Sequence, residues 1–208
     1  MKTDTLAQKV FPDLSLDLRK QIKYDWTAVY STSSKKAADL IANIISNYIP
    51  ATSIITDATS GIGGNTAIFS TRFKHVNAIE IDNSRFSMMK HNMSLYSSKN
   101  ITYHNTDYLK ICWTLSQDAI FIDPPWGGAS VHLDKKPILS LSGIPIEYIC
   151  KRLIDNVKLI ALKVPVTYDV QTLRDYLSSY RVHHYKLRKM HLIVCSHPVV
   201  GSSNIKGN

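Results

Sequence analysis

Ile54-Ile55-Thr56-Asp57-Ala58-Thr59-Ser60-Gly61-Ile62-Gly63-Gly64-Asn65-Thr66 decides the fold of this 208-residue chain. The short apolar start reads as a buried strand. The glycines that follow let the backbone turn sharply and approach a ligand. A helix from Gly64 to Phe73 then presents free N–H groups at its start. Strand, glycine-rich turn and helix in this order belong to a doubly wound α/β fold, with the ligand beyond the carboxyl ends of the strands.

Outward from this stretch the pattern repeats. Val76 to Ile81, Ile101 to His104, Ala119 to Asp123 and Val157 to Lys163 are further apolar runs that read as buried strands. Helical segments fit Asn83 to Tyr96, Pro145 to Asn156 and Asp169 to Ser179. One helix precedes all the strands, with Ala37, Leu40, Ile41, Ile44, Ile45 and Tyr48 at helical spacing and Ser33 or Ser34 as N-cap. Such alternation predicts a parallel sheet covered on both faces. Tyr180 to Leu187 and Met190 to Ser196 break the rhythm, since they lie almost adjacent and should pair as an antiparallel hairpin. A seven-stranded, mostly parallel sheet closed by such a hairpin is the methyltransferase variant of the fold.

The length suits one domain, residues 1–208. No apolar run approaches the roughly 18 residues of a membrane span, and no signal-peptide core follows Met1, so cytoplasm or nucleus is expected and no membrane partner. Cys112, Cys150 and Cys195 stand far apart without metal-ligand spacing, and the histidines form no ligand pair. No metal is expected. The part of the chain after Pro198, and part of the first dozen residues, are expected to lack structure. Lys and Arg outnumber Asp and Glu by 25 to 16, a formal net charge of +9 that suits either a polyanionic partner or a solvated basic surface.

Within the glycine loop, Asp57, Thr59, Gly61, Gly63, Asn65 and Thr66 are candidate contacts for a nucleoside cofactor. Ala78-Ile79-Glu80-Ile81-Asp82 ends the second strand with acids placed to accept bonds from ribose hydroxyls. Glu80 is the preferred ribose ligand, and Asp82 caps the next helix or shares the role. Asp107, after the third strand, accepts from an adenine amino group, caps a helix, or does both.

The chemistry concentrates in Ile122-Asp123-Pro124-Pro125-Trp126-Gly127-Gly128. Methylating an amine conjugated to a ring needs acceptors for its N–H protons, so that the nitrogen lone pair faces the methyl donor. The Asp123 carboxylate and the Pro124 carbonyl supply them, and the prolines fix the backbone that aims them. Trp126 offers a flat face for a base, worth ~1–3 kcal/mol of stacking, with a further cation–π term for 7-methylguanine.

At these residues the chain resembles the trimethylguanosine synthase family, the RNA cap guanine-N2 methyltransferases. Asp57 to Thr66 matches the family's Asp-Ala-x-x-Gly-x-Gly-Gly-Asn-Thr loop, and Pro124 to Gly128 matches its Ser-Pro-Pro-Trp-Gly-Gly motif. Ile22-Lys23-Tyr24-Asp25 and Tyr30-Ser31-Thr32-Ser33 look similar to its upstream elements at the same spacing. The resemblance implies a class I, Rossmann-like fold that uses S-adenosyl-L-methionine, giving S-adenosyl-L-homocysteine. Asp123, Pro124 and Trp126 are the candidate catalytic residues on the amine chemistry above, with Pro125 a candidate substrate contact beside them, and the resemblance implies that Trp126 stacks on the methylated guanine. It further implies that Lys23 meets the cap phosphates and that Tyr30, Ser31 and Ser33 close the cofactor site. Residues 1–32 would then form an arm over the active site, 33–197 the catalytic core and 198–208 a tail.

A monomer acting on capped RNA or a cap nucleotide is expected. Asp123 departs from the family's Ser, and Asp-Pro-Pro-Trp is also written by adenine-N6 methyltransferases, which keeps adenine open as the substrate. A cofactor-binding scaffold without catalysis is the third reading. Lys186, Arg188 and Lys189 track an RNA backbone or protect a sheet edge.

Overall fold

A computed structural model of the chain describes residues 3–127 and 136–198. The chain divides into two compact units, Met1–Ile122 and Asp123–Asn208. The strand order of its seven-stranded sheet is β3 (Ile101–His104), β2 (His75–Ile79), β1 (Ile54–Asp57), β4 (Ala119–Ile122), β7 (Leu159–Val164), β9 (Met190–Ser196), β8 (Arg181–Leu187).

The first unit carries β1 (Ile54–Asp57), β2 (His75–Ile79), β3 (Ile101–His104) and β4 (Ala119–Ile122), all parallel. Asp57 is in register with Ala78 on one side and Phe121 on the other, so the chain leaves β1 from the middle of this sheet. Helix α4 (Lys35–Ser46) precedes β1 and turns Ala38, Ile41, Ala42 and Ile45 inward, each fully buried. Burial of each isoleucine contributes about 1.5–3 kcal/mol. The Ser34 hydroxyl caps the helix by accepting from the Ala37 N–H at 3.3 Å, which resolves the choice between Ser33 and Ser34. Helices α5 (Gly64–Arg72), α6 (Asn83–Leu95) and α7 (Tyr108–Ile111) follow β1, β2 and β3.

The N-terminal segment departs from expectation. Thr3–Val10 forms helix α1, followed by the short helices α2 (Leu16–Arg19) and α3 (Ala28–Ser31). Leu6, Ala7 and Val10 fall on one face of α1 and, with Phe11 just beyond it, are buried in a cluster with Ile62, Met89 and Met93. That apolar face orders a stretch expected to be partly unstructured.

In the second unit, β5 (Ser140–Leu141) and β6 (Ile144–Pro145) form a small hairpin before α8 (Ile146–Leu153). The chain continues through a 3-10 turn at Ile154–Asn156, β7 (Leu159–Val164) and α9 (Val170–Tyr176). β8 (Arg181–Leu187) and β9 (Met190–Ser196) pair antiparallel in the expected hairpin, and β9 also pairs antiparallel with β7. Among the described residues no helix is long and apolar enough to cross a membrane. The stretch after Pro198, and Gly128 of the Pro-Pro-Trp-Gly-Gly motif, lie outside the described residues.

Candidate active site

Backbone geometry explains the glycines after β1. Gly61 and Gly63 have φ +56° and +97°, left-handed values that cost an L side chain roughly 1–2 kcal/mol. A Cβ on Gly63 would also meet Met93 Cε at 2.8 Å. On Gly64 it would meet Thr32 Cγ2 at 2.8 Å and Val10 Cγ1 at 3.2 Å, so the N-terminal segment packs directly on the loop. Buried Thr66 donates its hydroxyl to Asp57 Oδ2 at 2.7 Å, and Ser60 stitches the loop to β2 through the Ile79 N–H at 3.0 Å. Thr59 is half-buried within the turn.

Glu80 lies just past the end of β2 and is almost fully buried. Its Oε2 accepts from the Gly61 N–H at 2.8 Å and its Oε1 from the Asp82 N–H at 2.9 Å. A carboxylate offers about four acceptor positions, so it braces the loop and retains capacity for ribose hydroxyls. Asp82 is exposed and caps α6, accepting from the Arg85 N–H at 2.8 Å. Ile81 between them is 64% exposed, because the strand ends at Ile79. Asp107 caps α7 through the Leu109 N–H at 2.9 Å.

The four candidates upstream of α4 (Lys23, Tyr30, Ser31 and Ser33) fall into two groups. Tyr30 is 74% exposed and meets Trp26, itself 68% exposed, edge to face at 6.0 Å between ring centroids. Ser31 is exposed and donates its hydroxyl to the Thr27 carbonyl at 3.0 Å, while Lys23 extends its side chain from the surface. Ser33, by contrast, is buried. Ser33 Oγ and Asn65 Oδ1 are buried polar atoms with no hydrogen-bond partner among the described residues. They flank Gly64, whose Cβ would come within 3.5 Å of the Ser33 carbonyl. Unsatisfied buried acceptors and donors cost free energy unless a ligand meets them, so this cradle fits a polar nucleoside cofactor.

In the second unit the motif that continues from β4 has a partner not foreseen in the sequence. Asp123 Oδ2 receives the Lys163 ammonium at 2.5 Å, with side-chain exposures of 16% and 5%. Burial pushes the Asp123 carboxyl above its ordinary value, and the Lys163 charge opposes that rise. Lys163 Nζ also lies 5.2 Å from the centroid of the Trp126 ring, a cation–π contact. Pro124 is buried and Pro125 exposed, so the two prolines present different faces. The signal for Lys163 was available: it is the one charged residue in Leu-Ile-Ala-Leu-Lys-Val, a strand buried along its whole length.

The sheet order and the glycine loop define a class I, Rossmann-like methyltransferase. Residues 52–198 match the model of the RNA cap guanine-N2 methyltransferases, and the chain belongs to that family. An uncharacterized protein of Acanthamoeba polyphaga mimivirus is 28% identical over 91% of this chain and 85% of its own length. The trimethylguanosine synthase of Schizosaccharomyces pombe is 35% identical over 51% of this chain, which spans 46% of that enzyme. A Streptococcus mutans structure in complex with SAH shares the fold with TM-score 0.55, 16% identity, 76% coverage of this chain and 96% of that one.

Proposed function

We propose that this methyltransferase transfers a methyl group from S-adenosyl-L-methionine to guanine N2 of a 7-methylguanosine cap, on capped RNA or a free cap nucleotide. Bound at the glycine loop, the cofactor supplies an electrophilic methyl group. Glu80 would hold its ribose, Asp107 its adenine amino group, and Ser33 and Asn65 the polar groups that satisfy their buried atoms. Lys23, exposed on the arm, would meet the cap phosphates.

Asp123 and the Pro124 carbonyl would accept the two N–H bonds of the guanine amine, leaving the nitrogen lone pair for the methyl group. The amine must shed one proton on methylation, and the Asp123 carboxylate beside it is the acceptor: burial raises its readiness to take the proton, and the Lys163 charge works against this. Trp126 would stack on the base. The observation that carries this reading is the motif geometry in one unit: a carboxylate held by a buried ammonium that also rests against the stacking ring. Family membership favours guanine over adenine.

A methyl-transfer assay with labelled S-adenosyl-L-methionine tests it on 7-methylguanosine triphosphate, unmethylated GTP and an adenine-containing oligonucleotide. The 7-methylated nucleotide is expected to be the preferred acceptor, and Trp126→Ala to abolish transfer while cofactor affinity stays within a few-fold. Preferential methylation of adenine would replace the cap reading with the adenine-N6 one.

A further inference from the structure

Asn92 is fully buried on α6, yet none of its side-chain hydrogen bonds serves its own helix. Its Oδ1 accepts from the Lys23 N–H at 2.9 Å, and its Nδ2 donates to the Lys23 carbonyl at 2.9 Å and to the Ile62 carbonyl at 3.0 Å. Both amide hydrogens and an acceptor position are thus engaged. Ile62 stands between the two left-handed glycines, so its carbonyl direction is set by the turn of the loop. One side chain therefore ties the backbone under Lys23 to the centre of the glycine loop.

The same helix holds the arm at neighbouring points. Arg85 Nε donates to Asp25 Oδ2 at 2.6 Å, and Asp25 Oδ1 accepts from the Ala28 N–H at 2.7 Å. Burial alone would raise the Asp25 carboxyl, but Arg85 and the Ala28 N–H hold it below its ordinary value. His91 Nε2 meets the Gln21 carbonyl at 2.8 Å. Residues 21, 23 and 25 are thus clasped in alternation by α6, but of these clasps Asn92 is the one that also grips the loop.

We propose that Asn92 is a positioning residue that couples the two ligand sites: cofactor bound at the glycine loop fixes Ile62, Asn92 and the Lys23 backbone, so that Lys23 is set for the cap phosphates. The inference rests on the cap reading of Lys23. Coupling is reciprocal, so each ligand should raise the affinity of the other by the same factor. Asparagine is required chemically. Aspartate would keep the acceptor, lose both donors and place a charge against two carbonyls.

Calorimetry on the full chain tests this with SAH and 7-methylguanosine triphosphate, each titrated alone and with the other saturating. In the wild type, SAH is expected to raise cap-nucleotide affinity at least about fivefold, and Asn92→Ala and Asn92→Asp to reduce that factor to about one. Asn100→Ala removes a comparable amide brace, to the Ser70 and Phe73 carbonyls, and is expected to lose stability while keeping the coupling. In the wild type, hydrogen exchange at the Lys23 amide should slow when SAH binds, a readout that needs no variant. Wild-type protein that binds both ligands without coupling, or coupling that survives in the Asn92 variants or vanishes equally in Asn100→Ala, overturns the inference alone. Failure of the wild type to bind the cap nucleotide overturns the cap reading with it.

Discussion

Lys163 changes what Asp123 can be asked to do. A lone aspartate facing the base would favour a cationic guanine by its charge; paired with a buried ammonium, the two are close to neutral together. Removing one partner of such a pair strands the other, at about 3–5 kcal/mol. Lys163→Met is therefore expected to lower stability in denaturant titration by that order and to raise the Asp123 carboxyl further, since the opposing charge is gone. If ionised Asp123 accepts the amine bond, the acid limb of the pH–rate profile should move to higher pH. Asp123→Ser, though it restores the family's residue, is expected to be unstable alone and rescued by Lys163→Met; equal stability of single and double variants would deny the pairing. Glu80→Ala should weaken SAH binding by ~1–3 kcal/mol, since it removes the brace on Gly61 together with the acceptor. Calorimetry showing unchanged affinity would move the ribose role elsewhere. The glycine loop and the Asp-Pro-Pro-Trp motif were legible because their residues are contiguous. Lys163 and Asn92 act on partners 40 and 69 residues away, and no local pattern encodes such pairings.

At the scale of elements, the terminal hairpin carries a titratable feature of its own. His184 and His191 meet edge to face at 4.3 Å between ring centroids. Burial depresses both below the ordinary value of 6.5; the His191 imidazole, Lys186 and Arg174 further penalise a proton on His184, and Lys186 acts likewise on His191. His183, partly buried beside Arg181, shifts in the same direction. For a histidine with a lowered folded value, the unfolded chain binds more protons as pH falls past about 6.5, so the stabilisation present above that pH is lost below it. Amide protection factors in β8 and β9, exchange rates corrected for their intrinsic pH dependence, are expected to fall between pH 7 and pH 5 more than those in β1 and β2, as hydrogen-exchange NMR would read (roughly the window bracketing the ordinary histidine value). Replacing His184 and His191 with glutamine should flatten much of that response. The hairpin was readable in advance because two strand patterns with almost no separation must pair. The expected second strand, Val76 to Ile81, ran too far because Glu80 turns back to bind Gly61, ending β2 at Ile79. Helix α1 escaped reading because its short apolar face is stabilised by Ile62 and Met93, which come much later in the chain.

For the whole molecule, the net charge of +9 matters according to where it is displayed. Lys186, Arg188 and Lys189 are exposed at the end of the β8–β9 hairpin, and exposed Lys9 and Lys36 line a cleft with Ser34 and Asn43. Surface charges of one sign raise affinity for a polyanion by counterion release, which makes that affinity fall with salt in proportion to the phosphates contacted. A cap nucleotide carries few phosphates, whereas capped RNA adds one for every further residue. If these patches serve RNA, the slope of log affinity against log salt should be steeper for a capped oligonucleotide than for 7-methylguanosine triphosphate, by roughly 0.7 for each further phosphate contacted. Converting Lys186, Arg188 and Lys189 to alanine together should then lower the magnitude of the oligonucleotide slope by about two, roughly 0.7 for each of the three contacts, and leave the nucleotide slope unchanged. Fluorescence titration at several salt concentrations reads both. Identical slopes for the two ligands in the wild type would mean that the enzyme handles the cap alone, and that the basic hairpin serves only to keep the sheet edge solvated.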